Sequence, residues 1–138
     1  TASANYTYLQ TTGKFTGVAD IAKNDVAGFI PRTGNARLTY TYKKFGANAG
    51  LNFTGKHLSG AGTEPVSPLT PIASRLYRKD LTTIGVGASY RIRPDATLTI
   101  DVNNITQKSP VMYRYIESRI RQVYLADVTV NIGLSGQF

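Results

Sequence analysis

The sequence predicts an all-β chain, an antiparallel up-and-down sheet of about six strands that makes a segment of a transmembrane β-barrel and is not closed by this chain alone. Three observations predict it. Toward the end of the chain Tyr124, Ala126, Val128, Val130, Ile132, Leu134 and Phe138 share one parity, and Asp127, Thr129, Asn131, Gly133, Ser135 and Gln137 share the other. Successive side chains of a strand point to opposite faces, so this period of two gives one apolar and one polar face. Similar alternation recurs upstream, and the connections between the alternating runs go long, short, long, short, long. Outer-membrane barrels sort their connections in this way, with short turns at one rim and long loops at the other. The composition agrees: of 138 residues 41% are hydrophobic, below the usual globular share, while Gly and Tyr are plentiful and Cys and Trp are absent.

The first strand is expected over 4–10, with Tyr6 and Tyr8 on one face and Asn5 and Thr7 on the other. Gly13, Gly17, Gly28, Pro31 and Gly34 interrupt any period through 11–34. A second strand over 35–43 sets Leu38, Tyr40 and Tyr42 against Arg37, Thr39 and Thr41. After a tight turn at 44–46 a third, over 47–55, sets Ala47, Ala49, Leu51 and Phe53 against Asn48, Gly50 and Asn52, so the two read as a hairpin. The stretch 56–80 is rich in Gly, Pro, Ser and Thr, carries Pro65, Pro68 and Pro71 at a spacing of three, and reads as an irregular loop. The fourth strand, 82–92, alternates Ile84, Val86, Ala88, Tyr90 and Ile92 with Thr83, Gly85, Gly87, Ser89 and Arg91. Pro94 and Asp95 supply a turn, Pro by its fixed φ and Asp by tolerating the bend, and the fifth strand follows over 97–105. A third long loop, 106–121, leads into a sixth strand over 122–138. At about 3.3 Å per residue that last run would span roughly 50 Å, far beyond an ordinary strand.

The whole chain, 1–138, thus reads as the C-terminal part of a β-barrel domain. No apolar run approaches the roughly 20 residues of a membrane-spanning helix, an absence that does not exclude a membrane barrel, whose strands alternate. The chain opens at Thr1 without a charged-then-apolar leader, the pattern of a mature or excised chain. Its net charge of +8 is scattered rather than gathered into a nucleic-acid motif, so no nucleic-acid partner is expected. Bacterial single-chain barrels start at about eight strands, and an open sheet in lipid leaves backbone groups unsatisfied at both edges. The rest of a barrel must therefore come from the same or a separate polypeptide. A self-associating structural β protein, forming an oligomeric barrel or filament through its open edges, is the alternative.

Several segments carry a resemblance. Ala4-Asn5-Tyr6-Thr7-Tyr8, Ile30-Pro31-Arg32-Thr33-Gly34-Asn35, Leu51-Asn52-Phe53-Thr54-Gly55-Lys56, Tyr90-Arg91-Ile92 and the run Leu98 to Ile105, together with the terminal Phe138, resemble in order and spacing the C-terminal end of a TonB-dependent outer-membrane receptor. The resemblance covers nearly the whole chain. It implies a barrel of about 22 strands around a plug, of which this chain looks like the last six. It further implies residence in the bacterial outer membrane, contact with lipid and lipopolysaccharide, and uptake of a siderophore, vitamin or oligosaccharide-type ligand. A terminal aromatic after alternating apolar residues, here Phe138 with Leu134, Ile132 and Val130, is similar to the signal read by the barrel-assembly machinery.

Catalysis is not expected. His57, the single histidine, has no Ser or Asp partner at a telling spacing, no cluster has metal-ligand spacing, and no cofactor is implied. Asp101 and Asp127 share the polar parity and would approach each other if the last hairpin were symmetric, in which case Arg37 or Arg91 is expected nearby to offset the repulsion. These four are the candidate polar network of the lumen wall. Arg75, Arg78, Lys79, Arg119 and Arg121 are candidates for meeting lipopolysaccharide phosphates or an anionic ligand at the outer rim.

Overall fold

The computed structural model describes residues 1–10, 26–61 and 75–136, and every regular element among them is a strand. Six strands make one antiparallel sheet: β1 (Ala2–Tyr8), β2 (Arg32–Tyr42), β3 (Phe45–Thr54), β6 (Leu81–Arg93), β7 (Ala96–Asn103) and β10 (Thr129–Gly136), in that spatial order. Four shorter strands, β4 (His57–Ala61), β5 (Arg75–Arg78), β8 (Val111–Arg114) and β9 (Ile120–Val123), make a second antiparallel sheet in the order β4-β5-β8-β9. The architecture is all-β, antiparallel and open, with β1 and β10 at the edges of the larger sheet.

Register, not merely alternation, makes the larger sheet two-faced. Tyr42 pairs with Phe45, Phe45 with Tyr90, Tyr90 with Leu98 and Leu98 with Leu134. One level on, Tyr40, Ala47, Ala88, Ile100 and Ile132 form the next row, and beyond it Leu38, Ala49, Val86, Val102 and Val130 form another. At the far end Tyr6, Gly34 and Phe53 share a row, where the Tyr6 ring lies close over Gly34 and takes the place of a side chain there. Among the described residues nothing covers this face. Ile132 is 73% exposed, Leu134 70% and Tyr6 62%, and the buried apolar side chains among the described residues, Leu58, Leu76, Tyr77, Met112 and Tyr113, all belong to the smaller sheet.

The smaller sheet continues the larger one. β4 follows β3, β5 leads into β6, β8 follows β7 and β9 leads toward β10, and the neighbour order is kept. The β3–β6 ladder runs on to Thr54 and Leu81, whereas the β6–β7 ladder ends at Val86 and Val102 and the β7–β10 ladder at Asn103 and Thr129. Gly55 marks the break after β3: its N–H donates to the Arg32 carbonyl at 2.8 Å, and a Cβ there would meet Arg32 Cβ at 2.9 Å, so only glycine allows the approach. At the level of β7 the chain loops out through Asn104 and Gln107, both in the left-handed region at φ 55° and 51°. The Asn104 side chain holds the loop, donating to the carbonyls of Lys108 at 3.2 Å and Ala126 at 3.1 Å and accepting from the Lys108 N–H at 3.1 Å.

This loop changes the last strand. The sequence reads as one strand over 122–138, whereas β9 and β10 are separated by 124–128. With the facing chain looped out, the usual backbone ladder gives way to Tyr124 N–H to the Pro110 carbonyl at 2.9 Å, Ala126 N–H to Ser109 Oγ at 3.2 Å, and the Asn104 bond. The loops expected over 56–80 and 106–121 likewise contain β4, β5, β8 and β9. In β5 and β8 alternation is hidden because adjacent side chains are buried, Leu76 with Tyr77 and Met112 with Tyr113, so no polar parity remains to be read there; β4 and β9 are too short to show one. The Pro65, Pro68 and Pro71 spacing, most of 11–34, and Phe138 lie outside the described residues.

Candidate functional site

The polar face of the larger sheet is lined by amides, hydroxyls and glycines. Its rows follow from the same register as the apolar ones. Asn5, Asn35 and Asn52 stand side by side, with Asn35 Nδ2 donating to Asn5 Oδ1 at 3.0 Å. Arg37 pairs with Gly50, and Gly50 with Gly85. In the next row Asn48 pairs with Gly87, Gly87 with Asp101 and Asp101 with Asn131. The Asn48 and Asp101 side chains converge over Gly87 and fill the space a Cβ would take. Ser89 does the same over Gly46, and Thr99 over Gly133.

Gly50 differs. A Cβ there would meet only the Ala36 carbonyl, at 4.0 Å, and its φ is not in the left-handed region. Neither strain nor an internal contact therefore demands glycine at this position. Together with Gly85 it floors a groove of about 430 Å³ bordered by Arg37, Asn48, Asn52, Thr83, Asp101 and Asn103. The border mixes one cation, one anion and neutral groups that both donate and accept.

The candidate network of Arg37, Arg91, Asp101 and Asp127 is only partly brought together. Arg37 and Asp101 border the same groove. Arg91 pairs with Thr97, four residues along β7 from Asp101 and near the turn. The expected approach of Asp101 and Asp127 is replaced by Asp101 facing Asn131, because Asp127 lies in the segment between β9 and β10. Val130, Ile132 and Leu134 sit on β10 with its apolar parity. His57 is at the start of β4, its Nδ1 at 3.0 Å from the Gly55 carbonyl.

The basic candidates belong to the smaller sheet and divide between its faces. Arg75 and Arg78 lie on β5 with opposite parity, Arg121 on β9, and Arg119 just before it. Lys79 follows β5 and pairs with Glu117 at 3.0 Å, which holds the lysine above its ordinary pKa. Arg78 stacks over the Tyr124 ring at 5.8 Å, and Tyr124 Oη reaches Met112 Sδ at 3.5 Å. On the other face Tyr77 and Tyr113 stack with centroids 5.7 Å apart, and the Lys56 ammonium lies over both, 5.1 and 5.3 Å from their centroids. The approach of that ammonium to the Tyr113 side chain raises its pKa, against an opposing effect of burial. The Tyr113 hydroxyl is buried without a partner at full hydrogen-bond geometry.

Sequence reasoning missed Lys56 and the tyrosine pair, which become neighbours only through pairing across β4, β5 and β8, and it did not single out Gly50. The alternation of Asn with Gly in β3 is the signal that marks the groove. Among the described residues no three His, Cys, Asp or Glu side chains gather to hold a metal. In comparisons with known proteins, no family model matches this chain, and neither a curated protein nor a solved structure does.

Proposed function

We propose that the chain is the C-terminal part of a TonB-dependent receptor barrel in the bacterial outer membrane, contributing wall, external loops and closing strand to a pore that imports a siderophore, vitamin or oligosaccharide-type ligand. The observation that carries the reading is the apolar face, continuous across six strands and left exposed by the described residues. Exposed apolar surface on this scale marks an interaction with lipid or with another protein. Its layout favours lipid. Tyr40, Tyr42, Phe45 and Tyr90 lie toward the end beside the short turns and Tyr6 and Phe53 at the other, with Ala, Val, Ile and Leu between, the order of two aromatic girdles around an aliphatic band. From Gly34 to Tyr42 the strand rises about 26 Å, or roughly 20 Å when tilted by about 40°, close to the apolar band of about 25 Å in such barrels. The smaller sheet then stands above the lipid as an extension of the wall. The remaining barrel and the plug are the partners this reading requires, and lipopolysaccharide and the barrel-assembly machinery are those it adds.

The test is the protein that contains this sequence, extracted from membranes in detergent. Heat-modifiable gel migration and loss of solubility without detergent are expected. A folded monomer in plain buffer would sink the membrane reading. The two unpaired edges, β1 and β10, also support the alternative of pairing between copies, and crosslinking across those edges to a second copy of this chain would favour it.

A further inference from the structure

We infer that the two tight turns of the larger sheet, with the apolar face behind them, form a docking site for one anionic phospholipid, its phosphate on the turns and an acyl chain laid along the face. The inference rests on the reading of that face as lipid-facing and names the lipid class and its place. Lys43 and Lys44 make the β2–β3 turn and Arg93 ends β6 at the next one, while the Arg91 N–H donates to the Lys44 carbonyl at 2.8 Å and ties the two turns side by side. All four cations are exposed, and among the described residues none is ion-paired. Asp95 is the one carboxylate in these turns. Lys43 is turned toward the lipid side: its ammonium lies 5.2 Å from the centroid of the Tyr42 ring, at the aromatic girdle. It also holds a left-handed backbone, φ 51°, which Asn or Gly would hold at lower cost, so the turn itself does not ask for lysine.

Behind this rim the apolar face has room for a chain. In the row after Tyr42, Phe45 and Tyr90, Ala47 pairs with Ala88 between Tyr40 and Ile100, a gap between two larger side chains. Further from the turns the face opens into a hollow of about 550 Å³ bordered by Ala36, Leu38, Ala49, Leu51 and Ile84. From Phe45 to Ala49 and Leu51 the strand runs about 13–20 Å, or about 10–15 Å in depth at a tilt of about 40°. One leaflet supplies half of a hydrocarbon core of about 30 Å, so an acyl chain whose headgroup is held at the turns reaches the hollow. Charge selects the lipid. An anionic headgroup meets only lysine and arginine donors, whereas a zwitterionic one brings its own cation to them. A second copy packed on this face about a two-fold axis along the membrane normal would bring its own basic turns to the same rim, an arrangement that like charges oppose.

The experiment uses the protein containing this sequence, folded in detergent, with native mass spectrometry of the lipid it retains from equimolar dioleoyl phosphatidylglycerol and dioleoyl phosphatidylcholine. Phosphatidylglycerol should be preferred about tenfold or more. Lys43→Asn, which suits the left-handed backbone of the turn, should cut that preference about fivefold, while Lys108→Gln, the same change of charge beyond the other end of the sheet, leaves it unchanged. Ala47→Leu with Ala88→Leu, which fills the gap without touching charge, should lower phosphatidylglycerol retention about threefold or more. Heat-modifiable migration of every variant separates loss of the site from loss of the fold. A protein that shows that migration but no preference overturns the inference and leaves the barrel reading standing. Retention that survives either the lysine or the alanine changes places the lipid elsewhere, and an equal loss with Lys108→Gln reduces the effect to net charge; each overturns it. Displacement of the lipid by free glycerol phosphate at the same concentration leaves the acyl chain no role and overturns it too, as does crosslinking of a second copy over Ala47 and Ala88 with no lipid retained. If the wild-type protein itself shows no heat-modifiable migration, the barrel reading fails and this inference falls with it.

Discussion

Lys56 is the residue whose environment makes the plainest claim. Its ammonium sits over two stacked tyrosines, and the contact raises its pKa above the ordinary lysine value of 10.5. A group whose folded pKa is raised contributes stability that is fully present below the unfolded pKa and is lost as pH rises through the folded one. Lys56→Met should therefore lower the melting temperature of the extension at pH 7 to 9. The gap from wild type should close as pH climbs past 10.5, because deprotonated wild-type lysine no longer interacts through its charge. Thermal melts of the two proteins across that range, read by near-ultraviolet circular dichroism, check both halves. Nothing in the local sequence announces this residue. Lys56 is separated from Tyr77 and Tyr113 by long stretches of chain, and only cross-strand pairing makes them neighbours, whereas the parity of Tyr40 or Asn48 is legible from residues two positions away.

Among elements, the break in the last strand shows where periodicity stops being informative. Alternation persists through 124–128, yet those residues have lost their regular ladder because the opposing chain is looped out at Asn104. A strand's own sequence records which face each residue takes; it does not record an insertion in the neighbour. Asn104 compensates with three side-chain hydrogen bonds while holding a left-handed backbone. Asn104→Ala should cost about 1–3 kcal/mol in chemical denaturation, from lost bonds and from an unfavourable φ. Asn104→Gly should cost less, since it keeps the backbone freedom and loses only the bonds. Faster amide exchange at Lys108 in both variants would tie the loss to this loop. The four short strands were illegible for the converse reason. β5 and β8 bury adjacent side chains on both faces, and all four have only four or five residues, too few to show a period.

For the whole molecule, the open sheet and its two unlike faces are written in the sequence six times over, and that redundancy is why they are legible. The register that aligns the rows is not written in any one strand; it follows from the two tight turns and from glycines that let side chains converge across the polar face. The membrane reading makes the two faces energetically unequal. Ile100→Lys, at the middle of the apolar face, should destabilise the folded protein by about 2–4 kcal/mol in lipid, while Thr99→Lys, its neighbour on the polar face, should be nearly neutral. Equal effects of the two substitutions in refolding titrations into lipid vesicles would remove the asymmetry on which the reading depends.

One feature of the junction bears on how such a chain tolerates change in length. Thr54 and Leu81 are the last pair of the β3–β6 ladder, so the entire excursion through β4 and β5 begins and ends opposite itself. Its length is thus uncoupled from the register below. Deleting 56–79 would join Gly55 directly to Asp80, two residues well suited to a hairpin turn, and would leave every pairing beneath unshifted. The shortened protein should keep heat-modifiable migration while losing the Lys56 and Tyr77 cluster. The excursion beyond Thr54 and Leu81 can be exchanged, lengthened or trimmed by descent or by design, and the pairing of the larger sheet has no means of noticing.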